Sequence, residues 1–251
     1  MTDEMVLWTP KTFSGADMLP VKPQEVELVA NIPVVGRENA TGEVKMPTLK
    51  LLQGMSDEVT EGVQGARPGL FFLTSTQEVL EGPIRALIIR HAVSNVMYPN
   101  TKKDPRYKNL EKCMARDGIE GSKYGFCDDC RRHTTWGPNN EPPLCAISNN
   151  FTLMTDRGPC VIRLKRKSFP TSRDFIDNWK MTSKNLWHHP VEFKVISETD
   201  PDSDSTFYKL KMQWNTSEQV PTDVHVKAFE TWETLQKAAE EGRVKEDSDD
   251  D

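Results

Sequence analysis

The chain is 251 residues long, with 36% hydrophobic and 28% charged residues, 17 prolines and 14 glycines, the composition of an ordinary folded protein. Its net charge of −6 argues, taken as an average, against a phosphate-rich partner, and its longest apolar region, residues 86–89 between Arg85 and Arg90, falls far short of the ~18 residues a membrane span needs. The first thirty residues hold Asp3 and Glu4 and no apolar core flanked by cations, so the protein is expected to act in the cytoplasm where it is made, away from membranes.

Residues 1–45 are rich in proline and polar groups, with only 26–35 strand-like, and read as an N-terminal arm. From Met46 the pattern changes: 49–53, 69–74 and 84–93 are short apolar runs bounded by Gly and Pro, the signature of strands. Residues 98–146 show almost no apolar periodicity, which a compact domain sustains only if something else holds the segment together. Two further strands, 151–154 and 160–167, form a hairpin turning at 156–159. In the second, Ile162 and Leu164 alternate with Arg163, Lys165 and Lys167, giving one apolar and one basic face. A helix then starts at 170–174, with Thr171 as cap, Asp174 as its reciprocal partner, and Phe175, Trp179 and Leu186 on one stripe. The strands carrying Val191/Phe193/Val195 and Tyr208/Leu210/Met212/Trp214 form a hairpin around the acidic loop 198–204. A C-terminal helix lies within 216–243 and carries Val226, Phe229, Trp232 and Leu235; residues 244–251 form a disordered tail whose last six, 246–251, include five carboxylates.

Charge is segregated along this order. Residues 1–84 hold 6 basic and 12 acidic side chains, 85–190 hold 19 and 10, and 191–251 hold 7 and 16, so a basic block sits between acidic flanks. Of the five cysteines, Cys113, Cys127, Cys130 and Cys145 fall inside the aperiodic segment. Two thiolates separated by two residues can grip one metal through a tight knuckle, and two more close a tetrahedral structural Zn2+ site; His133 could replace one of the single cysteines. Cys160 opens a strand and reads as a core residue.

The cations form the second signal. Arg163, Lys165, Arg166 and Lys167 on the strand, with Lys102, Lys103, Arg106, Arg131 and Arg132 in the cysteine segment, can share one positive groove. Aromatic residues are interleaved with them, and Tyr107, Tyr124, Trp136 and Phe169 are the candidate stacking rings. Cations neutralise phosphates while rings stack on unpaired bases, which holds single strands without sequence readout. Three strands, an insertion, a basic strand, one helix and two more strands match a small Greek-key barrel with its helix between the third and fourth strands, a fold that binds oligonucleotides. The expected architecture is therefore mainly β with α: an OB-fold-like barrel over 46–215 with a zinc-binding insertion at about 98–146 and a C-terminal helix.

On these features the chain resembles the phage-encoded single-stranded DNA-binding proteins of replication and recombination, of the T4-like and T7-like phages. The resemblance lies in the Cys113/Cys127/Cys130/Cys145 set, the strand 162–167 and the tail 246–251. It implies a protein of the host cytoplasm that coats single-stranded DNA, with the tail recruiting replication proteins and competing with DNA for the groove. The T4-like metal set includes a histidine at different spacing, and the T7-like tail ends in an aromatic residue where this one ends in Asp251. No phosphate-cradling Gly-x-x-x-x-Gly-Lys loop, Gly-x-Ser-x-Gly elbow or His-Glu-x-x-His pair is present, and Glu192, Lys194 and Asp177 make only a commonplace carboxylate–lysine set, so no enzymatic activity is expected. The rival reading is a zinc-containing adaptor whose basic block meets an acidic protein partner in transcription, replication or the virion.

Overall fold

The computed structural model describes residues 44–99, 105–138, 141–199, 204–241 and 244–246. Most of the expected arm, Lys102, Lys103 and the tail beyond Glu246 lie outside the described residues. The strands in chain order are β1 (Val44–Met46), β2 (Leu49–Leu51), β3 (Phe71–Leu73), β4 (Glu78–Leu80), β5 (Ile84–Met97), β6 (Cys113–Ala115), β7 (Glu120–Gly121), β8 (Gly125–Phe126), β9 (Ala146–Thr155), β10 (Gly158–Lys165), β11 (Val191–Thr199), β12 (Thr206–Trp214) and β13 (Val244–Glu246). The helices are α1 (Asp57–Thr60), α2 (Arg131–Thr134), α3 (Phe169–Lys180) and α4 (Thr222–Glu240).

The main sheet runs β10-β9-β5-β11-β12, antiparallel throughout, and curls into a half-barrel. The expected hairpins are both there: Thr155 faces Gly158 at the turn of β9–β10, and Phe193 faces Met212 with Val195 facing Leu210 in β11–β12. Their inward side chains follow from alternation, since Phe151, Leu153, Ile162, Leu164, Phe193 and Leu210 all enter one core with Phe175 and Ile176 of α3. The strands at 49–53 and 69–74 take a different place from the one anticipated. Instead of joining the barrel sheet, β2 and β3 pair with each other, and β3 with β4, in a separate three-stranded sheet. That sheet lies along the open side of the half-barrel and sends Leu49, Phe71 and Leu73 into the same core. It touches both edges: Val161 N–H donates to the Pro47 carbonyl (2.7 Å) beside β10, and Gln53 brackets Tyr208 of β12, accepting from its N–H (3.0 Å) and donating to its carbonyl (2.8 Å). Gly69 permits this contact, because it sits at φ +87° and a Cβ there would stand 2.7 Å from the Tyr208 ring.

The helices depart from expectation in detail. α3 starts at Phe169, with Ser168 rather than Thr171 at its N-cap, and Pro170 occupies the first turn, where a missing N–H costs nothing. Ser172 is drawn inward, donating to the Phe169 carbonyl (2.7 Å) and accepting from Asn149 Nδ2 (2.8 Å). On α4 the buried stripe is Val224, Ala228, Leu235 and Ala238, while Val226 and Phe229 are exposed. A stripe at spacing three, as in 226, 229, 232 and 235, drifts about 60° around the helix at each step, whereas spacing four and seven holds one face. That face of α4 packs on Leu87, Ile89, Met154 and Val161, the opposite side of the sheet from the main core.

Phe151 is fully buried, with its ring 5.1 Å from His91 and edge-on to Phe175 at 6.3 Å. Phe151→Ala should lower stability by about 3–5 kcal/mol in urea denaturation, whereas Met181→Ala, at an exposed helix end, should leave it unchanged. Burial holds the His91 imidazole below its ordinary 6.5, the bond to Asn149 opposing and the Lys180 charge assisting. The unfolded chain, with the ordinary value, therefore protonates first on acidification. Stability should be complete above that value and decline below it, and His91→Gln should flatten the decline between about pH 7 and about pH 5 in the same measurement.

Candidate nucleic-acid interface and metal centre

Residues directly opposite one another across a sheet point to the same side, so the strand register fixes what the outer face carries. Three rows cross it: Lys165, Ser148 and Ser94; Arg163, Asn150 and Ala92; Val161, Thr152 and Arg90. α4 covers the Val161 and Met154 end, leaving the other end polar. Its floor is hydrogen-bonded: Ser148 Oγ donates to Asn150 Oδ1 (2.8 Å) and Asn150 Nδ2 donates to Ser94 Oγ (2.9 Å). Ser94, Ser148, Asn150 and Thr152 are all buried, so small amides and hydroxyls occupy positions where a sheet under a helix would carry apolar residues.

Of the four predicted strand cations, Arg163 and Lys165 project from this face. Arg166 and Lys167 do not, because the chain leaves the strand at Lys165 and Arg166 adopts a left-handed φ of 53°. Lys167 instead turns to the seam between β10 and β12, its Nζ 4.6 Å from the centroid of Phe207, a ring that sequence reasoning did not single out. Ser168 Oγ accepts from Leu210 N–H (3.2 Å) at the same seam, and Phe169 is half-buried at the start of α3.

The cysteine segment folds against the far end of β5, where β6 pairs with Asn95, Val96 and Met97. Met97, Tyr107 and Cys113 make a small core of their own, with Leu110, Tyr124 and Leu144 against it. Backbone bonds shape the knuckle: Cys130 N–H to the Cys127 carbonyl (3.1 Å), His133 N–H to that of Cys130 (2.8 Å), and Cys145 N–H to that of Arg132 (2.9 Å). All four predicted cysteines and His133 line one small cavity. Gly121 lets the walls close in, since a Cβ there would lie 2.8 Å from Cys113 Sγ. Burial, and then the neighbouring Cys127, Cys113 and Cys130, push the Cys145 thiol up to about 12. Two buried atoms without a partner among the described residues, His133 Nδ1 and Asn95 Oδ1, belong to side chains lining this cavity. Among the described residues no group of three or more His, Cys, Asp or Glu is arranged as it stands to hold a metal ion. The donors nevertheless fit zinc in kind: four thiols and an orphaned imidazole nitrogen around one cavity. Cys160 lies apart in the barrel core, its thiol also raised to about 12 by burial.

The rings divide into two groups. Tyr107 is buried, its hydroxyl donating to the Leu144 carbonyl (3.0 Å), and Tyr124 accepts from Glu111 N–H (2.9 Å) beneath the Arg132 guanidinium, 3.8 Å above its ring. Both hold the module together rather than offering a free stacking face. Trp136 is 60% exposed, and so, at 58%, is Phe126, which the candidate ring set omitted. Arg131 is exposed, while Arg106 donates to the Pro142 carbonyl (3.3 Å).

Residues 22–105, about a third of the chain, match the family model described as Pam3 phage gp34-like protein. The match spans the small sheet and β5 and stops before the first cysteine. No curated protein and no solved structure matches the chain. Among the described residues no helix is long and apolar enough to cross a membrane. The family match marks the chain as a phage protein.

Proposed function

We propose that this phage protein binds single-stranded DNA with little sequence preference, as a zinc-stapled OB-fold-like barrel acting without catalysis in replication or recombination in the host cytoplasm. The observation that carries the reading is the outer face of β9 and β10, where Arg163 and Lys165 flank a buried, hydrogen-bonded polar floor beside the apolar patch under α4. Strand order supports it. Taking β5, β9, β10, β11 and β12 as five consecutive barrel strands, the first lies between the second and the fourth, and a helix separates the third from the fourth. In oligonucleotide-binding barrels the second and third strands form the binding face, flanked by the loops after the first and fourth strands. Here the cysteine module, which carries Arg131, Trp136 and Phe126, occupies the first of those loops. Fold alone does not assign function, and the cations on this face make the argument.

Cys113, Cys127, Cys130 and Cys145 would hold the zinc, with His133 as the competing fourth donor. A closed four-ligand site supplies rigidity and no reactive position. The acidic tail, in this reading, contacts replication proteins and competes with DNA for the basic face.

Fluorescence anisotropy of a labelled single-stranded oligonucleotide beside its duplex, over a range of salt, tests the proposal. Tight binding that prefers the single strand and weakens steeply with salt is the expected result, and replacing Arg163 and Lys165 together with Ala should weaken it and flatten the salt slope. Failure of the intact protein to bind either form would transfer the basic block to the adaptor reading. The metal is tested separately: the purified protein should carry one zinc ion per chain by elemental analysis, and chelation should lower its melting temperature. A metal-free protein with an unchanged melting temperature would remove zinc from the proposal.

A further inference from the structure

β5 and β9 do not pair in continuous register. Ile88 faces Leu153 and Arg90 faces Thr152, leaving Ile89 as an extra residue in β5. Side chains alternate faces along a strand, so an unbroken ladder would set Ile89 against Thr152 and Arg90 against Phe151, inside the barrel core. The bulge prevents that. Ile89 stays with the apolar cluster under α4, as it would in an unbroken ladder, but Arg90 turns to the outer face, in the row of Thr152 and Val161, while His91 takes the inward place beside Phe151. Re-aiming one side chain is a recurrent use of a bulge.

Arg90 arrives at the boundary where α4 ends its cover and the polar floor begins. It is half-buried, and among the described residues no carboxylate pairs with it. Other arginines near the sheet are neutralised: Arg85, on the same strand, meets Glu218 at 3.0 Å, and Arg157, at the β9–β10 turn, is paired with Glu78. A guanidinium aimed by a backbone irregularity at a polar surface, with no carboxylate partner among the described residues, is placed for an anion from outside.

We propose that Arg90 is a phosphate-contacting residue of the nucleic-acid face, diagonally across β9 from Arg163 and one row away from it. β10 and β5 are two strand spacings apart, about 10 Å, and the side chains between them, Asn150 and Thr152, are short and polar. The sugar-phosphate backbone of a single strand therefore crosses β10, β9 and β5 obliquely, rather than following β10 along the row of cations that its sequence displays. The inference rests on the single-strand-binding reading and adds the direction of the path and the residue that marks its far side.

The test is the anisotropy titration of full-length protein with labelled oligo(dT) over a salt series, for the natural chain and for Arg90→Ala, Arg90→Gln, Arg90→Lys and Arg67→Ala. Arg67 lies in the loop before β3, ion-paired with Glu81 at 2.8 Å, and serves as a distant charge control. Removing the Arg90 charge should weaken binding several-fold and make the slope of log K against log salt shallower by about 0.7, the contribution of one phosphate on a single strand. Arg90→Lys should keep the slope, and Arg67→Ala should keep both slope and affinity. If either the Ala or the Gln variant unfolds at the natural melting temperature yet binds with unchanged affinity and slope, Arg90 is not a contact and the oblique path is overturned, while the single-strand reading stands. If the natural protein itself does not bind oligo(dT), that reading falls and this inference falls with it.

Discussion

The fourteen residues of β5 form the one element that every other part of the fold must satisfy. Its first residues bond β11, its middle bonds β9, and its last three bond β6 of the cysteine module. A strand with so many partners has no freedom to slip, because a shift of one residue would exchange core and outer faces along its whole length. The single bulge at Ile89 is the exception that the ladder tolerates, and it falls where the outer face changes from apolar to polar. Position along β5 thus decides three things together: where the apolar patch under α4 lies, where the outer face turns polar, and where the cysteine module is anchored.

The outer face is costly as built. Burying amide and hydroxyl groups is unfavourable unless each finds a partner, and Ser148, Asn150 and Ser94 meet that requirement by bonding one another. Apolar side chains of similar size would fill the same space at lower cost, as Leu87, Met154 and Val161 do a few residues away under α4. Stability alone therefore gives no reason for this floor. The proposed function would give one, since a polar floor between flanking cations suits a ligand that carries phosphates.

Much of the barrel was legible in the sequence because its strands are long enough to show their period. β10, β11 and β12 each carry three or four alternating apolar residues, and their inward faces follow directly. β2, β3 and β4 have three residues each, too few for alternation to declare a partner, so only tertiary packing tells a barrel strand from the small sheet that closes the barrel's open side. The stripe on α4 was misplaced because spacing three and spacing four are equally helical locally, and the contact with Leu87 and Ile89 decides between them. Neither the bulge nor the diversion of Lys167 to Phe207 leaves a local signature, since each follows from register or from a left-handed turn at a non-glycine residue. The cysteine set was visible from spacing, whereas the burial of Tyr107 and the exposure of Phe126 were not, because that module has almost no apolar periodicity to orient its rings.

That shortage of apolar residues returns the argument to β5. Among the described residues, Met97, Tyr107, Cys113, Ala115 and Cys127 are the buried apolar residues here, too few to offset the conformational entropy of ordering the segment. Four thiols crowd one small cavity, so an ion that accepted their electron density would relieve the crowding and supply the missing cohesion at once. Because β6 is bonded to Asn95 and Met97, immediately beyond Ser94 of the polar floor, any order a bound ion imposed would pass along one strand to the outer face proposed to bind DNA. The metal would then act on binding through the position of Ser94 and its partners, with no contact between the ion and the ligand.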